Sequence, residues 1–286
     1  MTEYYNIAGV TLSLAGDDLP ARGPLEPFAC GKTENPDVRV KVVSKPAGAA
    51  TEYDYSDRGA SWAKLGGGGW YYSYLHDDGA IVSDALISGD WSDIVVYANP
   101  GAGYREIFLK PTLETLFYNI CLLHKGIALH SAAVEWEGRG IVFSAPSGTG
   151  KSTQADLWVN NYGAEYINGD RPVLKSDGGR LFVCGTAWSG SAGIYRNARV
   201  PLAAVFFIEQ HPENLIEPLS AAGALKLILP RCFLPYQDRA MMALAMDNIE
   251  DIVSRAACWL LKCTPDLRAA ELARECITKR NFLEKE

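Results

Sequence analysis

In the run Ala145-Pro146-Ser147-Gly148-Thr149-Gly150-Lys151-Ser152-Thr153, two glycines precede a lysine and two hydroxyl side chains. An apolar run, Gly140-Ile141-Val142-Phe143, enters it. A helical pattern leaves it, running to about Asn161 with Gly163 placed to end the helix. Each residue type has a physical use here. Glycines let successive N–H groups turn inward and form a nest for phosphate oxygens. The helix N-terminus adds free N–H groups and the positive end of its dipole. Lys151 would reach the outer phosphates, and the Ser152 hydroxyl would ligate Mg²⁺. The pattern is a P-loop with Ala145 at its usual first glycine. Ser147, Gly148, Thr149, Gly150, Lys151, Ser152 and Thr153 are therefore the candidate nucleotide-binding residues.

The segments next to the loop extend this reading. A P-loop needs a carboxylate to complete its metal site. Asp170 follows the short strand Tyr166-Ile167 and is expected on the neighbouring strand, beside the phosphates. It could hold Mg²⁺ with Ser152 or accept a proton from a substrate hydroxyl. Before the loop, Ile127 to Val134 and Gly140 to Ser144 read as strands separated only by Glu135 to Arg139. That separation is hairpin length, so the two must be antiparallel. In doubly wound P-loop proteins the loop strand has parallel neighbours reached through helices, so the sheet here is of another kind.

Further out, residues 1–105 read as a β-rich region and 106–286 as the P-loop domain with a helical C-terminus. Val38 to Val43, Trp70 to Leu75 and Ile94 to Tyr97 are alternating, aromatic or β-branched runs. Turn signals lie at Gly16-Asp17-Asp18, Asp57-Arg58-Gly59 and Gly66 to Gly69. Pro111 opens a helix with Leu113, Leu116, Phe117, Ile120 and Leu123 on one face. Val173-Leu174 and Leu181 to Cys184 flank Asp177-Gly178-Gly179 as a hairpin, and Val200 to Glu209 reads as a buried strand. Helices are expected over Ala221 to Leu229, Arg239 to Lys262 and Pro265 to Lys279, the last capped by Thr264.

Composition narrows the function classes. The hydrophobic fraction is 48% and the charged fraction 21%, which excludes a disordered chain, a collagen and a coiled coil. A net charge of −7 argues against nucleic acid as a partner, since phosphate contacts need a basic face. No apolar run approaches the ~20 residues that span a bilayer, and the N-terminus lacks signal-peptide features, so no membrane partner and a cytoplasmic location are expected. The seven cysteines are scattered with no Cys-x-x-Cys pair and read as reduced thiols. His76, His124, His130 and His211 show no metal-ligand spacing.

The stretch from about Ile127 to Glu209 resembles the HPr kinase family, which belongs with the phosphoenolpyruvate carboxykinase-like P-loop folds; weaker similarity reaches Leu272. It comprises ALHSAAVEWEGRGIVFSAPSGTGKST, GAEYINGDRPVL and CGTAWSGSAGIYRNARVPLAAVFFIEQ. The resemblance implies an α/β fold with a mixed, partly antiparallel sheet, ATP as donor, and Mg²⁺. His130 matches a family histidine on the strand before the loop strand. Lys151, Ser152 and Asp170 match the phosphate lysine, the metal hydroxyl and the second residue of an Asp-Asp pair. The resemblance thus implies Asp170, His130 and Lys151 as catalytic residues. The first Asp of the pair is Gly169 here, and a Glu-x-Arg-Gly-Leu-Gly-like run has no counterpart. The chain therefore looks most like the diverse HPr-kinase-related proteins, some associated with peptide-modification clusters. For those the acceptor is a serine-type hydroxyl on a peptide, a protein or a small molecule. A homo-oligomer is compatible with the resemblance.

Other residues stay open between two readings. Arg196 and Arg199 suit bidentate contact with phosphate or carboxylate, or a solvated loop. Thr186, Trp188 and Ser189 fall, by resemblance, in a loop near the acceptor. Met241, Met242 and Met246 read as core. Two rival functions remain. A nucleotide-binding regulatory or scaffold protein would follow from the missing acid at Gly169. Carboxykinase-like chemistry would need an anion pocket of several arginines and a transition metal.

Overall fold

The VRVKVV run is a strand whose Val38, Val40 and Val42 are buried while Arg39 and Lys41 are exposed. Alternate side chains of a strand point to opposite faces, so one face is covered and the other solvated. The computed structural model describes residues 1–16, 19, 23–44, 52–57, 59–75, 81–98, 111–190 and 193–283, the last four as backbone only. The turn signals at Asp17-Asp18 and Arg58, His76, and the expected boundary at 105/106 lie outside these residues. Two units are present: Met1–Ile120 with Pro235–Met242, and Cys121–Leu234 with Ala243–Glu286.

In the first unit, β1 (Thr2–Ile7), β2 (Val10–Gly16), β3 (Val38–Val43), β4 (Tyr55–Asp57), β5 (Ala60–Lys64), β6 (Trp70–Leu75), β7 (Ile81–Ile87) and β8 (Asp93–Ala98) form one mixed sheet. Its order is β1-β2-β3-β8-β7-β6-β5-β4. The β2–β3 and β3–β8 pairs are parallel. The three expected strands are present, and β1, β2, β4, β5 and β7 were not anticipated. Gly66 to Gly69 make the turn between β5 and β6, with the Leu65 N–H donating to the Gly69 carbonyl at 2.9 Å. Trp62 lies opposite Tyr72 across that hairpin, their rings 4.7 Å apart. A polar row also crosses this sheet: Ser56, Ser61, Ser73 and Asp84 are successive cross-strand partners. The Ser73 hydroxyl donates to Asp84 at 2.6 Å, and burial pushes the Asp84 carboxyl up. Helix α1 (Leu113–Leu123) buries Leu113, Leu116, Phe117 and Ile120, as its spacing predicts; Leu123 is instead exposed, because the helix ends there.

The second unit is built on β9 (Gly126–Ala128), β10 (Ser131–Trp136), β11 (Arg139–Ser144), α2 (Lys151–Tyr162), β12 (Glu165–Asn168), β13 (Val173–Asp177), β14 (Arg180–Cys184), β15 (Arg199–Gln210), β16 (Leu215–Pro218), α3 (Ala221–Ile228), α4 (Arg239–Arg255, entering from the first unit), β17 (Cys258–Cys263) and α5 (Leu267–Leu283). β10 and β11 are the expected antiparallel hairpin, turning on Glu137 and Gly138, both at positive φ. The twelve-residue β15 joins two arms. Its start pairs antiparallel with β14, and its later part lies parallel to β11 on one side and β17 on the other. The core lies under α2. Trp158 is fully buried against Trp136 and Phe143, and Phe143 stacks on Phe206 at 5.8 Å. Small residues of α5 (Ala269, Ala270 and Ala273) are buried in the same cluster.

Four expectations are corrected here. Ile127 to Val134 is two strands rather than one: β9 pairs with β13 and β10 with β11, and the chain breaks between them at Leu129-His130. Asp170 follows β12, which pairs with β10, so one strand separates it from the loop strand β11. The helix from Arg239 ends at Arg255, and Cys258–Cys263 is a strand held between β15 and β16. A run such as Cys-Trp-Leu-Leu carries no period that separates a buried strand from a helix. Finally, Asp266 rather than Thr264 caps α5: its carboxylate accepts the Ala269 N–H at 3.3 Å, and the Thr264 hydroxyl donates to it at 2.7 Å.

Candidate functional site

β11 ends in Ser144, and the chain turns through Ala145–Gly150 into α2. Gly148 and Gly150 have φ of 76° and 115°, a region that side-chain-bearing residues rarely enter. The sequence therefore uses glycine where the loop must coil back over the helix end. No side chain caps α2, so its first N–H groups are left to water or a ligand. Ser147, Gly148, Ser152 and Thr153 are exposed, and Thr149 and Gly150 are half-buried. The helix closes as expected at Gly163, whose N–H reaches the Trp158 carbonyl.

Lys151 is the exception to this exposure. It is 8% exposed and donates to the Ala145 carbonyl at 3.3 Å, folding the ammonium back across the loop. Burial pushes its pKa down; the negative Asp170 opposes this, and the positive Arg231 adds to it. The Ser144 hydroxyl, buried at the loop's entry, has no hydrogen-bond partner.

His130 stands at the break between β9 and β10, not on the strand as the sequence implied. Its Nε2 is 3.0 Å from Asp170 Oδ1, and Arg171 Nε is 3.1 Å from the other carboxylate oxygen. Burial acts to raise the Asp170 carboxyl, but the His130 hydrogen bond and charge and the Arg171 guanidinium outweigh it, so the group is held below its ordinary value. The position of Asp170 is fixed by Asn168. The Asn168 Oδ1 accepts the backbone N–H groups of Asp170 and Arg171 at 2.9 and 2.7 Å. Its Nδ2 donates to the Thr186 and Trp188 carbonyls at 3.1 and 2.9 Å. One fully buried amide thus ties the carboxylate to the Thr186–Ser189 loop. Gly190, next in that loop, is tightly placed: a Cβ there would sit 3.0 Å from the Asp170 carboxyl carbon and press on that side chain.

The structure therefore gathers Lys151, Asp170, His130, Arg171 and Arg231 around one end of the sheet. Sequence reading missed Asn168, Arg171, Gly190 and Arg231. Asn168-Gly169-Asp170 is an Asx-turn pattern that could have been found; Arg231 has no local signal, because only the fold brings it to His130, whose N–H donates to the Arg231 carbonyl at 2.8 Å. Arg196 and Arg199 both contact carboxylates of the chain itself, one of the partners expected of them. Arg196 pairs with Glu135 and donates to the Tyr166 carbonyl at 2.8 Å, and Arg199 pairs with Asp177. Of the three methionines read as core, only Met241 is buried.

The donor set fits a nucleotide's metal better than a resident one. Among the described residues no three His, Cys, Asp or Glu side chains cluster as a metal site. One hydroxyl and one ionised carboxylate can complete the shell of Mg²⁺ that arrives with phosphates, because the phosphates supply the rest. Among the same residues no helix is long and apolar enough to cross a membrane.

No family model matches the chain, and no curated protein does either. Among solved structures, the HPr(Ser) kinase/phosphatase from Coxiella burnetii aligns with 9% identity over 56% of this chain and 99% of its own, with a TM-score of 0.33.

Proposed function

We propose that the protein is a Mg²⁺-dependent kinase that moves the γ-phosphoryl group of ATP to a serine-type hydroxyl on a peptide, a protein or a small molecule. The observation that carries this reading is the His130–Asp170 pair, held at 3.0 Å in electrostatic range of the Lys151 ammonium. Loop N–H groups, Lys151 and Arg231 offer positive charge to a polyanion. Asp170 and Ser152 would hold Mg²⁺, which neutralises charge on the phosphates when bound. Phosphoryl transfer is mostly positioning and electrostatics, and these groups supply both.

Asp170 also orients His130. With Nε2 committed to the carboxylate, the imidazole presents Nδ1 as its basic nitrogen, the arrangement by which a carboxylate fixes a histidine tautomer. The acceptor oxygen bonds to the γ-phosphorus, its proton passes to Nδ1, and the bond to the bridging oxygen breaks so that the nucleoside diphosphate leaves. A single carboxylate then serves without the acid missing at Gly169.

A second reading rests on a specific observation: both Asp170 oxygens already have partners, so the carboxylate is less available to a metal. On that reading the chain binds nucleotide and transfers nothing. Incubating wild-type and Lys151→Ala protein with γ-labelled ATP, Mg²⁺ and a panel of serine peptides and small hydroxyl compounds separates the two. Label transfer by the wild type alone supports the kinase. Transfer at equal rates by both proteins would sink it, and nucleotide binding without transfer to any acceptor would favour the second reading.

A further inference from the structure

β11 runs from Arg139 to Ser144, where the phosphate loop begins. A cavity of about 690 Å³ opens at the other end of this strand, so the strand's length, roughly 17 Å, separates it from the loop. That volume is within the range of pockets that hold small molecules. No residue of the phosphate loop lines it, and neither do His130 and Asp170.

The hollow has a cause in the sequence. Ala203-Ala204 of β15 and Ala256-Ala257, which lead into β17, lie side by side there, and the Val205 N–H donates to the Ala257 carbonyl at 2.8 Å. Their methyl groups leave empty the space that longer side chains would fill. Leu202, Trp259 and Ile277 supply apolar walls. Ala204, Ala257 and Ile277 are buried and Arg180 is exposed, so the cavity is apolar in its depth and charged at its mouth.

Three arginines line it, Arg139, Arg180 and Arg255, against one carboxylate, Glu137. In a chain of net charge −7 this is a local reversal of sign. Arg255 is held in place: it pairs with Asp251 at 2.8 Å and donates to the Ser176 hydroxyl and the Gly179 carbonyl at 3.1 and 3.0 Å. Arg180, next after Gly179, makes no side-chain hydrogen bond or ion pair among the described residues. A guanidinium with no partner, at the mouth of an apolar cavity, suits an anionic group whose apolar body enters the hollow.

We propose that this cavity is a second ligand site, independent of the phosphate loop, for a small organic acid. Its carboxylate pairs with Arg180, and its aromatic or aliphatic body packs on Trp259 and Leu202. With Glu137 also in the wall, the site favours a single negative charge over a polyphosphate, which sets its ligand apart from a nucleotide.

Calorimetric titration with 4-phenylbutyrate, the neutral 4-phenylbutanol and acetate tests this. The aromatic acid is expected to bind at least about tenfold more tightly than the alcohol or acetate, since it alone joins the charge to the apolar body. Arg180→Ala, a change at an exposed position, is expected to weaken the acid about tenfold and leave the alcohol unchanged. Ala203→Phe, which fills the hollow, should weaken both. Lys151→Ala should bind the acid as the wild type does, whatever becomes of its nucleotide. Absence of measurable binding by the acid overturns the site, as does equal binding of acid and alcohol or an affinity unmoved by Arg180→Ala. Loss of acid binding in Lys151→Ala would put the acid on the phosphate loop and overturn it too.

Discussion

His130 Nε2 and Asp170 Oδ1 lie 3.0 Å apart although the whole phosphate loop and its helix separate them in the chain. β10 makes this contact: His130 immediately precedes it, and β12, the strand before Asp170, pairs with it antiparallel. The Ser131 N–H donates to the Asp170 carbonyl at 3.0 Å, locking the two backbones together. The pair is thus a property of strand pairing, and its disruption has several measurable signatures.

Replacing Asp170 by Asn removes the negative charge while keeping the shape. Phosphoryl transfer is expected to fall about 10²–10⁴-fold, the range for loss of acid–base assistance. Nucleotide binding, read as a ligand-induced rise in melting temperature, should persist. Transfer at the wild-type rate would show that the pair has no part in chemistry.

The same carboxylate gives the protein an acid limb. Its folded pKa lies below the ordinary 3.8, so the unfolded chain takes up its proton first as pH falls. Stability from this group is complete above 3.8 and is lost as pH drops through the folded value. His130→Ala removes the hydrogen bond that lowers the pKa, so its cost should appear at neutral pH and shrink below 3.8. Denaturant titrations of both proteins across that window check the sign; a difference that does not shrink in acid would contradict it.

Gly190→Ala puts a methyl group 3.0 Å from the Asp170 carboxyl carbon. The carboxylate must move, and small displacements at a reacting centre cost up to about 100-fold in rate. Steady-state kinetics should show a fall in kcat with little change in the ATP KM. A fall in ATP affinity alone would place Gly190 elsewhere in the cycle.

Asn168→Ala removes the acceptor of the Asp170 and Arg171 N–H groups and the Nδ2 donor of the Thr186 carbonyl, while the Trp188 carbonyl keeps the Thr186 hydroxyl at 3.0 Å. A loss of roughly 2–4 kcal/mol in unfolding free energy is expected, since unpaired buried groups pay their desolvation in full. Guanidinium melts measure it, and a change under about 0.5 kcal/mol would mean the loop finds other donors.

Gly169→Asp offers the opposite test, since a Cβ at that position meets Ile194 only at ordinary contact distances, 3.5 and 3.6 Å. The variant is expected to fold with a melting temperature within about 4 °C of the wild type. Circular dichroism during a thermal scan checks it. A collapse in stability would show that the position itself excludes a second acid.

The loop strand, α2 and its Gly163 stop were legible because glycine, lysine and the helical period are local signals. The β10–β11 hairpin followed from the short Glu135 to Arg139 interval, and Val200 to Glu209 from its unbroken apolar run. β17 was not legible: Cys258–Cys263 is flanked by helices, and only pairing with β15 makes it a strand. Asp170 was legible from its place after a short strand beyond the loop helix and His130 through resemblance, but their 3.0 Å contact depends on register across β10 rather than on composition.

The parallel pairing of β15 with β17 also matters during synthesis. Until Cys258–Cys263 leaves the ribosome, the Val205 to Gln210 side of β15 has no neighbour on that flank. Its first four residues, Val205-Phe206-Phe207-Ile208, are β-prone, uncharged and free of proline, the makeup of sequences that stack with copies of themselves. A nascent or C-terminally clipped chain ending before Cys258 therefore exposes an adhesive edge on β15 that Cys258–Cys263 covers in the folded protein.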